Sequence, residues 1–261
     1  MPEEEWGWRI TPEELSSWIL EDQEGVLVLN KPAGVVCHPS KHGAWSSLAG
    51  AAREFLGVKK LHMPFRLDRE TSGVMLVTGC EQAGKRLQRA VQDGQYRKEY
   101  TALLVGQLKG RTTVSLPIAG AVGSLVRLKR VVVQDGTGQQ ALTVFAPIEA
   151  NRCGTLTRVL PATGRLHQIR VHASAIGHPL FGDKIYGPDE SLFVEFIESG
   201  WTERHERLLG LRRQALHCSS VEFNTDAMTG PRRFTAPLGR DLTKFCKASL
   251  GFSPPAYFDF G

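Results

Sequence analysis

Apolar residues along this chain occur mainly in short runs, and only a few segments repeat them at helical spacing. The runs at residues 25–29 and 74–77 are continuous and rich in valine and leucine, which is typical of buried strands. In residues 81–93, by contrast, apolar positions recur every three or four residues opposite a basic face, and Gly94 follows. This periodicity predicts an amphipathic surface helix that ends at the glycine.

The remaining pattern predicts a chain dominated by strands. Further strands are predicted at 96–105, in several segments between 112 and 159, and at 216–223 and 232–236, with extended chain also at 35–37. Further helices are predicted at 11–22, 46–56, 166–176 and 239–249, with a helical insertion within 189–213. Because strands mostly follow strands, we expect an α+β fold with a large mixed, mainly antiparallel sheet and flanking helices. Neither an internal repeat nor a low-complexity linker is visible, which favours one compact domain, although a sheet of this size could have two lobes and a cleft.

The composition is that of an ordinary globular protein. Hydrophobic residues make up 41% and charged residues 23% of the 261 positions. No apolar run approaches the roughly 18 residues that a membrane span needs, and the first residues are acidic, unlike those of a secretory signal. We therefore expect a cytoplasmic protein with no membrane partner.

Charge and cysteine content restrict the partners only weakly. Lys and Arg total 32 against 27 Asp and Glu, and the resulting net charge of +5 permits a polyanionic partner without requiring one. The 5 cysteines are scattered without a Cys-x-x-Cys pair, which argues against a disulfide framework and against a four-cysteine zinc site. Cys37, His38 and His42 are close in sequence but lack further ligands at recognisable spacing, so we expect no metal there.

The polar loop at residues 66–73 is the first candidate for chemistry. It places Asp68 between Arg66 and Arg69. In one interpretation, Asp68 caps a turn through the amides that follow it, and the arginines are solvated. In the other, the flanking positive charge lowers the pKa of the carboxyl group and keeps it ionised, as a nucleophile must be. The loop alone does not decide between these interpretations.

Residues 164–172 are the second candidate, because they combine hydrogen-bonding side chains with apolar side chains that need burial. In a helix, Leu166, Ile169 and Arg170 share one side, which carries Arg170 toward the interior. Arg165, at the helix start, then faces the loop region. A buried guanidinium needs an acidic partner. The alternative is that both arginines bond backbone carbonyls and only stabilise a turn.

Taken together, the polar segments resemble the RluA-type pseudouridine synthases. The matching motifs occur in the order and at the spacings of that family: Asn30-Lys-Pro-Ala-Gly34, Arg66-Leu-Asp68, Thr71-Ser-Gly73, Arg97-Lys-Glu-Tyr100, Gly164-Arg-Leu-His-Gln-Ile-Arg-Val-His172, Gly177-His-Pro179, Gly182-Asp183 and Leu216-His217. The resemblance covers about residues 24–237. It implies the pseudouridine synthase fold with a central RNA-binding cleft. We expect a catalytic domain at 24–249, between a short N-terminal extension (1–23) and a C-terminal tail (250–261).

The resemblance also implies a reaction, the isomerisation of uridine in RNA to pseudouridine. The bond from N1 to C1′ breaks, the uracil turns, and C5 bonds to C1′, so we expect neither a cofactor nor a metal. The family pattern implies Asp68 as the catalytic carboxylate and Arg165 as its ion-pair partner. It implies Tyr100 as a ring that stacks on uracil and takes up the C5 proton. Attack at C1′, attack at C6 and a glycal route all stay open.

The other candidate site residues are expected to contact the substrate. Arg66 is expected to point toward the RNA and fill the gap that an extruded base leaves, and Ile169 to form an apolar pocket wall. Further RNA contacts are expected from Lys31, Lys98, Arg127, Lys129, Arg130, His167, Gln168, Arg170 and Lys184. His167 and His172 are expected to fix loop and helix geometry more than to transfer protons.

Two positions depart from the family pattern. Phe65 stands where histidine is common, and Leu166 stands where a small polar residue is common. Neither replaces an acidic or phenolic residue, so we expect an active enzyme, with RNA contacts near Phe65 that can differ. We expect a monomer acting on a stem-loop of tRNA or rRNA. The alternatives are a non-catalytic RNA-binding module on the same fold, and a hydrolase that uses Asp68 with water and Glu70.

Overall fold

The structure is a computed structural model that describes residues 8–23, 25–38, 43–224 and 230–258. Its helices are α1 (Pro12–Ser17), α2 (Leu48–Leu56), α3 (Glu81–Gln92), α4 (Gln168–Ala175), α5 (Ser191–Ser199), α6 (Glu203–Leu209) and α7 (Arg240–Phe245). Its strands are β1 (Ile19–Gln23), β2 (Val26–Lys31), β3 (Ser72–Thr78), β4 (Tyr96–Val105), β5 (Thr112–Ser115), β6 (Ile118–Gly120), β7 (Arg130–Val132), β8 (Leu142–Ala150), β9 (Gly154–Pro161), β10 (Leu216–Phe223) and β11 (Arg232–Thr235). His42, considered above as part of a metal site, lies outside the described residues.

The chain divides into two compact units. Among the described residues, the N-terminal unit comprises those within 8–98, 217–239 and 255–258, and the central unit comprises those within 99–216 and 240–254. Both units combine strands with flanking helices. The domain boundaries that the family resemblance implies stay predictions.

In the N-terminal unit the strands are ordered β1-β2-β3-β10-β11. β3 and β10 pair in parallel, and the other neighbours in this unit pair antiparallel. Every residue of β3 is buried, and so is most of β2. Both faces of these strands are therefore covered, which explains why their sequences are continuous apolar runs instead of alternating ones. α3 packs on β3, and α1 packs on α2.

In the central unit the strands are ordered β5-β8-β9-β4, all antiparallel, and β6 pairs with β7 in a separate hairpin. α4 packs against β7, β8 and β9. The predicted α+β class, with a large and mainly antiparallel sheet flanked by helices, is confirmed. The helical insertion predicted within 189–213 is also confirmed, as α5 and α6.

The first predicted helix is wrong beyond Ser17. Thr11 caps α1 as predicted, in a capping box with Glu14, but residues 19–23 form strand β1. The reason is nonlocal: β1 pairs antiparallel with β2, so its backbone groups bond to a strand instead of to a further helical turn. The extended segment predicted at 35–37 is not part of a strand, and the carbonyls of Val36 and Cys37 accept the N–H groups of Leu48 and Ala49 at the start of α2. The extended conformation itself stays a prediction.

The other predicted elements are confirmed with small shifts of their ends. β4 has the predicted bounds, α3 ends close to Gly94, and α4 begins two residues later than predicted. Within the described part of the chain, the helices are too short or too polar for any of them to cross a membrane.

Candidate active site

Asp68 lies in the N-terminal unit, in the loop that leads into β3. Phe65 and Leu67 are buried, whereas Arg66 is exposed and Asp68 is partly exposed. Because side chains alternate along an extended segment, Arg66 and Asp68 lie on the same, outer side of the loop. The apolar residues anchor the segment, and the two charged groups lie on the side that solvent reaches.

The backbone on both sides of Asp68 is held by the connection between β2 and α2. The Cys37 thiol donates a hydrogen bond to the Leu67 carbonyl, with Sγ and O 3.2 Å apart. The Gly34 N–H donates to the Arg69 carbonyl at 2.8 Å, and Arg69 Nε donates back to the Gly34 carbonyl at 3.0 Å. Bonds to both of its neighbours therefore fix the backbone of Asp68.

Lys31 is fully buried in the same junction. Its Nζ donates to the carbonyls of Pro32 and Val35 at 2.9 Å and to the carbonyl of Arg69 at 3.1 Å. An ammonium group carries three hydrogens, so these bonds use all of them. The burial argues against the RNA contact predicted for Lys31. Its position instead ties the turn after β2 to the loop of Asp68.

We expect Lys31→Met to lower the free energy of unfolding by about 1–3 kcal/mol, because three buried or partly buried carbonyls lose a charged donor. Chemical denaturation measures this change. Lys59→Met, at an exposed lysine of the same unit, is the matched control, and it should shift the free energy by less than about 0.5 kcal/mol. A Lys31→Met protein with wild-type stability and weakened RNA binding would contradict the buried role.

The end of the Asp68 loop is fixed where β3 meets β10. The Ser72 hydroxyl donates to His217 Nδ1 at 2.9 Å, and His217 Nε2 donates to the Ala236 carbonyl at 3.2 Å. Gly73 has φ +114°, and a Cβ there would lie 2.1 Å from the Cys218 carbonyl oxygen. Only glycine allows this close approach of the two strands.

An aromatic cluster supports the start of the loop. The ring centroids of Phe65 and Tyr96 are 6.2 Å apart, and those of Tyr96 and Phe223 are 6.0 Å apart. The Lys98 ammonium lies 5.4 Å from the Phe65 centroid and 5.5 Å from the Tyr96 centroid, within the range of cation–π attraction. Phe65, the departure from the usual histidine, is therefore a packing residue of this cluster.

The other two predicted catalytic residues lie in the central unit. Tyr100 is on β4, opposite Val159 of β9, and is 5% exposed. Arg165 is exposed in the loop between β9 and α4, and its Nε donates to the Gln140 carbonyl at 3.0 Å. The guanidinium is therefore held at one nitrogen by the protein backbone, at the surface of its unit.

His167 ends the Arg165 loop in a left-handed conformation, with φ 58° and ψ 15°. Among the described residues it is the only one other than glycine with a positive φ. Tyr186 holds it there: the two side chains hydrogen bond at 2.9 Å, and the Tyr186 hydroxyl also accepts the Arg130 N–H at 2.9 Å. Such a conformation persists only where surrounding contacts determine it. Leu166, expected on the buried helix side, lies outside the helix and is 40% exposed.

Arg170 has the buried acidic partner that its predicted position required. Its Nε and Nη2 donate to the two carboxylate oxygens of Asp183 at 2.7 and 2.8 Å, and neither residue is more than 5% exposed. The Ile185 and Tyr186 N–H groups donate to the same carboxylate. Burial by itself raises the pKa of Asp183, but the Arg170 charge and these hydrogen bonds lower it overall. Engaged in this pair, Arg170 is poorly placed for the predicted phosphate contact.

Further predicted RNA contacts are buried as well. Gln168 is 4% exposed, and Lys184 is 2% exposed. Lys184 Nζ donates to the Arg212 carbonyl at 2.6 Å and lies 4.6 Å from the ring centroid of Phe196. Lys129, which is partly exposed, pairs with Glu190 at 2.9 Å. The burial of Gln168 and Lys184 and the ion pair of Lys129 favour structural roles for all three residues.

No metal-binding cluster is found in the part of the chain that the structure describes: no group of three or more His, Cys, Asp or Glu side chains there is arranged to hold an ion. All five cysteines carry free thiols.

The chain also matches a known protein family, in agreement with the sequence motifs that form this site. The family described as RNA pseudouridylate synthase matches residues 25–175, a segment that contains Asp68, Tyr100 and Arg165. The chain belongs to this family. The resemblance to RluA-type pseudouridine synthases is thereby confirmed, and so is the enzyme class.

Curated pseudouridine synthases match most of the chain. Ribosomal large subunit pseudouridine synthase D of Xylella fastidiosa (strain Temecula1 / ATCC 700964) is 34% identical over 241 residues, which cover 91% of this chain and 70% of the relative. Ribosomal large subunit pseudouridine synthase C of Vibrio vulnificus (strain CMCP6) is 33% identical, over 88% of this chain and 69% of the relative. An uncharacterized RNA pseudouridine synthase of Bacillus subtilis (strain 168) is 35% identical, over 94% of this chain and 81% of the relative.

Solved structures of pseudouridine synthases share the fold. Human RNA pseudouridylate synthase domain containing 4 has a TM-score of 0.70 at 24% identity, covering 90% of this chain and 94% of the other. Human RNA pseudouridylate synthase domain containing 1 has a TM-score of 0.67 at 25% identity, covering 92% and 89%.

In this pseudouridine synthase, Asp183→Asn should lower the free energy of unfolding by about 3–5 kcal/mol, because it leaves the buried Arg170 without a counter-charge. Chemical denaturation measures the loss. Asp189→Asn is the control, since Asp189 pairs with Arg204 at a partly exposed site, where an ion pair contributes about 0–1 kcal/mol. Equal stability of the two variants would show that the Arg170 pair does not hold this part of the fold.

Proposed function

We propose that this pseudouridine synthase isomerises uridines of large-subunit ribosomal RNA, with Asp68 as the nucleophile. Two of the relatives described above carry the name ribosomal large subunit pseudouridine synthase, which favours rRNA over tRNA as the substrate. The observation that carries the assignment of Asp68 is its position: a partly exposed carboxylate on a loop whose backbone is bonded on both sides. A nucleophile needs both access to the substrate and a fixed backbone.

The proposed reaction is balanced without a cofactor. The bond from uracil N1 to C1′ breaks, the uracil turns, and its C5 bonds to C1′. The hydrogen on C5 is then released as a proton, and N1 gains one. Asp68 attacks either C1′ or C6, or assists departure of the base, and it is regenerated at the end. No net oxidation occurs, so the protein has only to supply a base, a nucleophile and an oriented charge.

Arg165 and Tyr100 are the other two proposed catalytic residues. We assign Arg165 to orient the Asp68 carboxylate through charge-assisted hydrogen bonds when substrate is bound. Its support is an exposed guanidinium that is held through Nε by the Gln140 carbonyl, because the Nη donors of a guanidinium are suited to a carboxylate. Tyr100, a nearly buried tyrosine on β4, is assigned to stack on the uracil and accept the C5 proton.

The proposed RNA contacts centre on Arg66. It is exposed on the same side of the loop as Asp68, so it can fill the base stack while the extruded uridine reaches the carboxylate, which offsets part of the unstacking cost. Ile169, 6% exposed, is proposed as an apolar wall. Lys98 was predicted to contact RNA, but it is 9% exposed and its ammonium lies over the rings of the aromatic cluster, which favours a structural role. We propose a monomeric enzyme of the cytoplasm, where free thiols persist.

Pseudouridine mapping tests the proposed substrate. Unmodified large-subunit rRNA and total tRNA are incubated separately with the purified protein, and pseudouridines are mapped at single-nucleotide resolution. We expect new pseudouridine in the rRNA and none in the tRNA. Modification of tRNA alone would overturn the rRNA assignment, and release of free uracil would favour the hydrolase alternative. Cells lacking the gene should lose the same rRNA pseudouridines.

A further inference from the structure

The side-chain amide of Gln168 lies beneath the Arg165 loop with all of its hydrogen-bonding capacity used inside the central unit. Its Oε1 accepts the Arg165 backbone N–H at 3.0 Å and the Thr163 hydroxyl at 2.6 Å. Its Nε2 donates to the Leu142 carbonyl at 2.9 Å and to the Thr143 hydroxyl at 3.0 Å. A primary amide has two donors and two acceptor lone pairs, so none is left for RNA.

The chain of hydrogen bonds continues to a buried histidine. His172 Nε2 lies 2.9 Å from the Leu116 carbonyl, which only accepts, so Nε2 carries the proton. His172 Nδ1 then accepts the Thr143 hydroxyl hydrogen at 2.9 Å. Burial lowers the pKa of His172, which keeps the ring neutral and Nδ1 an acceptor. Every donor from Gln168 to Leu116 therefore has a matching acceptor, and the orientation of the amide is fixed.

We propose that Gln168 is a positioning residue for Arg165, set in place through Thr143 and His172, and makes no contact with RNA. The inference rests on the proposed function, in which Arg165 orients Asp68. The amide oxygen accepts a hydrogen bond from the backbone N–H of Arg165. Arg165 lies one residue before the exposed Leu166 and two before the left-handed His167. A guanidinium on a surface loop has many rotamers, and a loop that is fixed at its backbone limits where the charge can lie.

Two variants separate this role from RNA contact. Gln168→Met keeps the length and volume of the side chain but removes every hydrogen bond of the amide. We expect its single-turnover rate of pseudouridine formation to fall about 10- to 100-fold, the scale of a misplaced catalytic group, while the Kd for RNA stays within about threefold. Thr143→Val removes the hydroxyl that joins Gln168 to His172. It should also slow the reaction, with the Kd for RNA unchanged. Thr143→Ser, which keeps the hydroxyl, should restore the rate.

A double-mutant cycle distinguishes positioning of Arg165 from general disruption of the fold. If Gln168 acts through Arg165, Gln168→Met should cause no further slowing in an Arg165→Ala background. Ser174→Ala, a change at a partly exposed position of α4, is the control and should leave rate and Kd unchanged. If Gln168→Met does not fold, the same cycle is run with Thr143→Val.

Three results would overturn the inference: an unchanged rate in Gln168→Met, a loss that lies wholly in RNA binding, or full additivity with Arg165→Ala. Failure of the proposed function gives a different pattern. In that case the wild-type protein forms no pseudouridine, or Asp68→Asn forms it at the wild-type rate, and the inference falls with it. If the enzyme is active and depends on Asp68, but the effects of Gln168→Met and Arg165→Ala are additive, only the positioning role of Gln168 is overturned and the proposed function stands.

Discussion

Asp68→Asn should reduce pseudouridine formation by a factor on the order of 10⁴ or more, the scale seen when an enzyme loses its nucleophile. Asparagine has nearly the same shape as aspartate, but its neutral amide cannot attack carbon or stabilise a developing positive charge at C1′. The backbone bonds to Leu67 and Arg69 do not involve the carboxylate, so the loop should keep its conformation. Single-turnover assays with excess enzyme measure the effect.

The matched control is Asp93→Asn, an exposed aspartate just after α3 whose nearest basic group is 3.7 Å away. It should retain the wild-type rate. The free energy of unfolding of Asp68→Asn should equal that of the wild type within about 0.5 kcal/mol. The variant should also bind RNA at least as well, because it lacks a negative charge beside the polyanion. An inactive variant that also loses stability and RNA binding would point to a structural carboxylate.

Arg165→Ala should slow the reaction by about 10²- to 10³-fold, the effect of removing one fixed donor at a reacting charge. The reason is that the carboxylate of Asp68 would lose the guanidinium proposed to orient it. Arg165→Lys should recover part of the rate, since it keeps the charge but not the planar fork of donors. Single-turnover rates and RNA titrations of the two variants test this.

Arg152→Ala provides the comparison for Arg165. It removes an exposed arginine between β8 and β9 of the same unit, and the rate should not change. A wild-type rate in Arg165→Ala would contradict the proposed pairing with Asp68. A loss of activity that lies only in weaker RNA binding would contradict it too, and would make Arg165 an RNA contact.

Local features of the site could be predicted from sequence because they depend on short-range geometry. The polar sequence of residues 66–73 predicts a loop before a buried strand, and Asp68 lies in the loop that leads into β3. The helix predicted at 166–176 has Ile169 and Arg170 on its buried side and an acidic partner for the guanidinium, as expected, whereas Leu166, predicted on the same side, is exposed. Which acid it is could not be derived, because Asp183 lies 13 residues further along the chain, outside the helix.

Features that depend on distant backbone could not be predicted. Lys31 follows a strand and precedes a turn, where a charged side chain is usually solvated. Its burial is visible only once the Arg69 carbonyl, 38 residues away, is placed beside it. Gln168 presents the same problem, since two of its four partners lie on β8. Strand β1 was taken for helix because its pairing with β2 leaves no local signal.

Release of tritium from RNA that carries [5-³H]uridine tests the central claim most directly, because forming the bond from C5 to C1′ displaces the hydrogen on C5. With wild-type enzyme and large-subunit rRNA, we predict that tritium appears in water in step with pseudouridine and without free uracil. With Asp68→Asn, we predict no release above background. Tritium release by Asp68→Asn at the wild-type rate would contradict the account, and so would uracil accumulating in place of pseudouridine.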